Sequence, residues 1–160
     1  MDIYDETFIN FWKASNKFQL KCILIGDLAI SLHANTSFGN NVEIWIKDTP
    51  ENRKNLYEVF KETGMGDLKS LLTIQFIPGW TDFYLDNGVR LDIMTSVKGL
   101  EQYSFDDAYK TASVAEIENI KVPFLHINQL IQAKKATNRP EDQVDVIALE
   151  KIKKLREEGN

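Results

Sequence analysis

The chain has 160 residues, a formal net charge of −5, 43% hydrophobic residues and 27% charged ones. That length suits one domain burying about 70% of its unfolded surface, and the composition is ordinary for a globular protein. No apolar run approaches the roughly 18 residues of a membrane span, the acidic balance argues against a broad nucleic-acid surface, and a single cysteine, Cys22, excludes an internal disulfide. The opening MDIYDETF is acidic and lacks the basic region of a signal peptide, so the cytoplasm is the expected compartment.

In chain order, Asp2 to Asn16 carries Phe8, Phe11, Trp12 and Ser15 at helical spacing and reads as an amphipathic helix. Lys21 to Ile25 is a short apolar, β-branched run ended by Gly26, hence a buried strand in which Cys22 is core packing rather than chemistry. Leu28, Ala29 and Leu32 make a short helix of Asp27 to His33, and Asp27 is expected to cap it. Asn35 to Asn40 is a loop of turn formers. Asn41 to Ile46 follows as a strand, with Asn41, Glu43 and Trp45 on one face and Val42, Ile44 and Ile46 on the other.

Thr49 and Pro50 open a helix with Leu56, Val59 and Phe60 as its apolar stripe, and Gly64 ends it. Met65 to Ser70 reads as loop, and Leu71 to Ile77 as a strand stopped by Pro78-Gly79. Trp80 to Asp86 fits no single pattern. Asn87-Gly88 predicts a tight hairpin into a strand at Val89 to Met94. Ser104 caps a short helix, and Thr111 to Ile117 and Lys121 to Phe124 form a hairpin turning at Glu118-Asn119. Ile127 to Thr137 is helical, Asn138-Arg139-Pro140 breaks it, and a last helix runs to about Lys154, with a frayed tail from Glu157 to Asn160.

The stretch KCILIGDLAISLHANTSFGNNVEIWIK, Lys21 to Lys47, resembles the nucleotidyltransferase fold of the DNA polymerase β-like superfamily. It is most similar to the small bacterial members, the minor nucleotidyltransferases and type IV antitoxin-like proteins. That family reads Gly-Gly after a strand, a short helix often ending in His, then Arg-x-Thr-x-Asp-Ile-Asp. Gly26, Leu28, Ala29, Ser31, Leu32, His33, Val42, Ile44, Trp45 and Ile46 keep the frame. Val89 to Leu100 looks like the strand bearing the third carboxylate, at Asp92. Leu130 to Leu149 looks like the C-terminal segment, with Lys134, Arg139, Pro140, Asp142 and Asp145 in matching places. The resemblance covers about Phe18 to Leu149. It implies an α/β (α+β) fold: one domain with a mixed sheet flanked by helices over about 18–124, and a C-terminal helical segment over about 125–156.

What the resemblance implies about chemistry is altered at the positions that matter. The second Gly is Asp27, the Arg position is Ser37, the Thr position is Gly39, and the two metal-binding Asp positions are Asn41 and Glu43. The implied catalytic and metal residues are thus Glu43 and Asp92, with Asn41 at a family Asp position, and the implied nucleotide-binding residues are Gly26, Asp27, Ser37 and Lys134. Magnesium wants carboxylates in near-octahedral geometry. Asn41 offers only a neutral carbonyl, and Glu43 reaches further than Asp by about one C–C bond, roughly 1.5 Å. A carboxylate at Asp27 stands where a phosphate would meet backbone N–H groups.

The remaining residues keep two readings each. His33 touches a phosphate or is structural. Lys134, with Lys135 and Arg139 near it, reaches the nucleotide or lies on a solvated basic face. Trp45 fills the cleft or stacks on a base. Asp142 and Asp145 share a helix face, where complementing its dipole explains them more cheaply than catalysis. The expectation is a nucleotidyltransferase-fold protein with weak or no catalysis, acting as a binding or regulatory module for an NTP, another small molecule or a protein partner. The alternative is an active, antitoxin-like, Mg²⁺-dependent nucleotidyltransferase; Mg²⁺ is implied only in that case.

Overall fold

The structure is a computed structural model, and it describes residues 1–36, 38–76 and 81–159. Six strands form one mixed sheet among the described residues: β1 (Cys22–Ile25), β2 (Val42–Ile46), β3 (Thr81–Tyr84), β4 (Arg90–Met94), β5 (Ser113–Ile117) and β6 (Ile120–Phe124), in the order β3-β4-β2-β1-β6-β5. β1 is buried along its whole length, as an all-apolar central strand must be. It pairs antiparallel with β2 and parallel with β6, while β2 runs parallel to β4. The helices are α1 (Glu6–Lys17), α2 (Gly26–His33), α3 (Pro50–Glu62), α4 (Phe105–Thr111), α5 (Ile127–Thr137) and α6 (Pro140–Glu158).

Local chemistry explains most of the boundaries. Asp5 caps α1 by accepting from Thr7 N, and Phe8, Phe11, Trp12 and Ser15 form its buried face. Thr49 caps α3 with Pro50 in the first turn. Ser104 and Asp107 form a capping box on α4, and Asn138 ends α5 in the left-handed region. Gly88, at φ +83°, makes the predicted turn between β3 and β4. The buried Asn52 side chain fixes α3 to the sheet: it accepts from Lys21 N at 2.8 Å and donates to the carbonyls of Lys21 and Lys47 at 2.9 and 2.7 Å.

Four expectations are corrected. Leu71 to Phe76 forms no strand: Lys69–Leu72 is a 3-10 turn, and the chain beyond it docks on α3. Arg53 is the cause. It donates to the carbonyls of Leu71 and Ile74 and lies over the Phe76 ring, so that backbone is held by a guanidinium rather than a neighbouring strand. Ile77, Pro78-Gly79 and Trp80 lie outside the described residues, and Thr81–Tyr84 proves to be strand. Thr111 closes α4 instead of opening β5. The last helix continues to Glu158, because only good helix formers follow Lys154 until Gly159.

Asp27 does not cap α2. Gly26 turns the chain at φ +70° and starts the helix itself, so Ile25 holds the cap position without a side-chain acceptor and Asp27 falls inside the first turn. The amides at this helix start are therefore not closed by that carboxylate.

Candidate functional site

The site lies where β1 ends and α2 begins. Ile25 pairs with Glu43 on β2, Glu43 pairs with Asp92 on β4, and Asp92 pairs with Asp82 on β3. Directly paired residues point to the same face, so Glu43, Asp92 and Asp82 stand in one line across three strands. Glu43 reaches back over Gly26: a Cβ built on Gly26 would lie 1.7 Å from Glu43 Oε2. Burial, and then the charges of Asp27 and Asp92, raise the Glu43 pKa against the opposing pull of Lys134 and Arg90.

Asp92 is buried, at 4% exposure, and its Oδ2 accepts from two donors. Asn41 Nδ2 donates to Oδ2 at 2.8 Å. Arg90, two residues earlier on the same strand face, sets Nε 3.0 Å from Oδ1 and 3.2 Å from Oδ2.

The far wall comes from α5 and α6. Lys134 Nζ lies 3.3 Å from Asp142 Oδ1 and 3.1 Å from Asp145 Oδ2. Burial works against the Lys134 charge, but the two aspartates outweigh it and its pKa is raised. Asp142 is fully buried and also accepts from Arg139 N, Nε and the NH2 nitrogen at 3.0, 2.8 and 3.1 Å. These donors, Arg139 foremost, hold its carboxyl far below the usual carboxylate range.

Two adjoining cavities open between these walls. One of about 600 Å³ is lined by Asp27, Ser31, Asn41, Glu43 and Arg90. The other, about 500 Å³, has an apolar floor of Ile25, Met94, Val97 and Leu130 beside Gly26. Both share Glu43, Lys134 and Arg139.

No family model matches the sequence, and no curated protein does. Solved structures match over nearly the whole chain. A Thermotoga maritima protein assigned as a nucleotidyltransferase is 17% identical, with a TM-score of 0.56 over 93% of this chain and 88% of its own. The lincosamide antibiotic adenylyltransferase LnuA, solved with lincomycin, is 11% identical with a TM-score of 0.62 over 95% of this chain and 99% of its own. The antibiotic-resistance factor ANT(2'')-Ia is 14% identical with a TM-score of 0.57 over 94% and 87%. The chain has the nucleotidyltransferase fold.

On this fold Gly26, Asp27, Asn41, Glu43 and Lys134 come together at one cleft, while Asp92 lines neither cavity and is tied to the cleft through Asn41 and Arg90. Ser37 lies outside the described residues. Lys134 is not on a solvated basic face, since its side chain is 15% exposed and tied to two aspartates; Lys135 instead pairs with Glu150 at the surface. Asp142 and Asp145 serve that tie as well as the dipole of α6. His33 is structural: Nε2 meets Leu125 O at 2.8 Å, Nδ1 meets an Arg156 nitrogen at 3.2 Å, and burial lowers its pKa. Trp45 is core rather than a stacking platform, donating to Thr95 O and packing edge-on against Phe105. Cys22 is buried and its thiol pKa is pushed up by that burial.

Sequence reasoning missed the roles of Arg90 and Asp82. Arg90 carried a usable signal, since a residue two before Asp92 on a strand shares its face. Asp82 did not, because its position depends on a register no local pattern revealed.

The donor set does not fit a two-metal magnesium centre. Such a centre needs several anionic oxygens free to converge on the cations. Here Asn41 turns its amide nitrogen, not its carbonyl, to Asp92; Asp92 Oδ2 accepts from both Asn41 and Arg90, whose Nε also lies 3.0 Å from Oδ1; and Glu43 lies against Gly26.

Proposed function

We propose that this nucleotidyltransferase-fold protein has a degraded metal and NTP site, is catalytically weak or inactive, and acts as a binding or regulatory module. One observation carries this: the buried Asp92 carboxylate accepts from two protein donors, Asn41 and Arg90, at Oδ2, and Arg90 Nε also lies 3.0 Å from Oδ1 as an ion-pair partner. Nucleotidyl transfer needs cations that neutralise the phosphates, and carboxylates turned to other partners hold them poorly. The cationic side chains of the cleft, Arg90, Lys134 and Arg139, are each already paired with carboxylates, which leaves less positive charge for a triphosphate. The cavities nonetheless have the volume of small-molecule sites.

A second reading, an active antitoxin-like transferase using Mg²⁺ with Glu43 and Asp92, is favoured by the alignment of Asp82, Asp92 and Glu43 on one sheet face. Thermal stability with a panel of NTPs, each with and without Mg²⁺, separates the two. A ligand at about 100 times its dissociation constant adds roughly 2.7 kcal/mol, and each kcal/mol moves the midpoint by about 2–4 °C at this size. The module reading predicts that Mg²⁺ changes no NTP shift, whether that shift is zero or not. A shift that appears only with Mg²⁺ would overturn it.

A further inference from the structure

Asp92 presents an electrostatic problem. It is buried, and its neighbours in register on both sides, Glu43 and Asp82, are acids. Like charges directly opposite across strands destabilise a sheet, and a buried carboxylate needs a counter-charge with good hydrogen bonds. The family resemblance would supply that charge from a metal ion. We infer that in this chain Arg90 and Asn41 take the place of the divalent cation on Asp92. This deepens the proposed function and rests on that reading of the cleft.

The geometry has the features such a replacement requires. Arg90 leaves the same strand on the same face as Asp92, and its Nε donates to Oδ2 at 3.2 Å while lying 3.0 Å from Oδ1. Asn41 completes the set through Nδ2. Asparagine is the specific choice here: an aspartate in its place would turn a like charge toward Asp92 and could not donate. A guanidinium is permanently charged and covalently attached, so it neutralises Asp92 in every state of the cleft and cannot be chelated. Its side chain is about half exposed and also lines the cleft beside Asn41 and Glu43, so the fixed charge stands within the cleft itself. The two residues are complementary: one removes a carboxylate that a metal would need, and the other occupies the carboxylate that remains.

The test is a Mn²⁺ titration followed by electron paramagnetic resonance, on the native chain, on Asn41→Asp and on the double variant Asn41→Asp/Arg90→Gln. Circular dichroism confirms the fold of each. We expect the native chain to bind Mn²⁺ at least about tenfold more weakly than the double variant, because the double variant gains one negative charge and loses one positive charge within a few ångströms of the site. Adding Asp92→Asn to the double variant should remove the gained site. Asn41→Asp alone keeps Arg90 in place and should bind between the two, which preserves the comparison if the double variant does not fold. A native Mn²⁺ site as tight as that of the double variant, and lost in Asp92→Asn, would overturn the inference. So would a double variant that binds no better than the native chain. Neither result depends on nucleotide, so a failure here is separable from the detection of Mg²⁺-dependent NTP binding, which would count against the proposed function itself.

Discussion

Gly26 is the tightest point of the cleft. Its φ of +70° is costly for a residue with a side chain, and the space above it holds the Glu43 carboxylate. Gly26→Ala should therefore destabilise the chain by about 1–3 kcal/mol, measured by urea unfolding. Part of that cost is the displaced Glu43 side chain, so the same substitution should cost less in a Glu43→Ala background. Equal costs in the two backgrounds would show that the carboxylate does not occupy this space. Single residues were legible in the sequence where identity alone sets the role: glycine after a strand, cysteine in an apolar run. They were not legible where role depends on a partner far along the chain. Asp27 was expected to cap because Asp caps well, yet the turn at Gly26 moved the helix start past it. Arg90 acquires meaning only beside Asn41, far apart in sequence but meeting at the same Asp92 oxygen in space.

Elements were legible where their ends carry their own chemistry. Thr49-Pro50, Ser104, Asn87-Gly88 and Asn138 each satisfied a cap or turn with local atoms, and each structure formed as its residues predict. Leu71 to Phe76 failed because its backbone is claimed by Arg53, a long-range partner that strand periodicity cannot reveal. At the same scale, Asp142 joins α5 to α6 through Lys134 and Arg139. Removing its charge leaves a buried lysine without one of its two partners, so Asp142→Asn should cost about 3 kcal/mol at neutral pH. The pH dependence has a definite sign. Its folded pKa is depressed, so the carboxylate contributes stability above the ordinary carboxylate range and loses it as pH falls through and below that range. The gap between native and Asp142→Asn unfolding free energies should narrow from pH 7 toward pH 3. A constant gap would contradict the ion-pair account.

At the scale of the molecule, the order strand, glycine, short helix, strand was enough to indicate the fold, and solved nucleotidyltransferases superpose on nearly all of the chain at only 11–17% identity. The fold survives because it depends on the buried apolar faces of β1, β2 and β4, whereas the cleft depends on a few polar positions that can change without loosening that core. Strand register was the part the sequence did not disclose, and register is what puts Asp82, Asp92 and Glu43 in line. The central claim is that this intact frame carries a cleft whose carboxylates no longer serve nucleotidyl transfer. Its most direct test is incorporation of label from each α-labelled NTP, with Mg²⁺ or Mn²⁺, into the protein itself and into acceptors of a cell extract. The account predicts no metal-dependent incorporation above the level of an Asp92→Ala control. Metal-dependent incorporation by the native chain that vanishes in Asp92→Ala would contradict it.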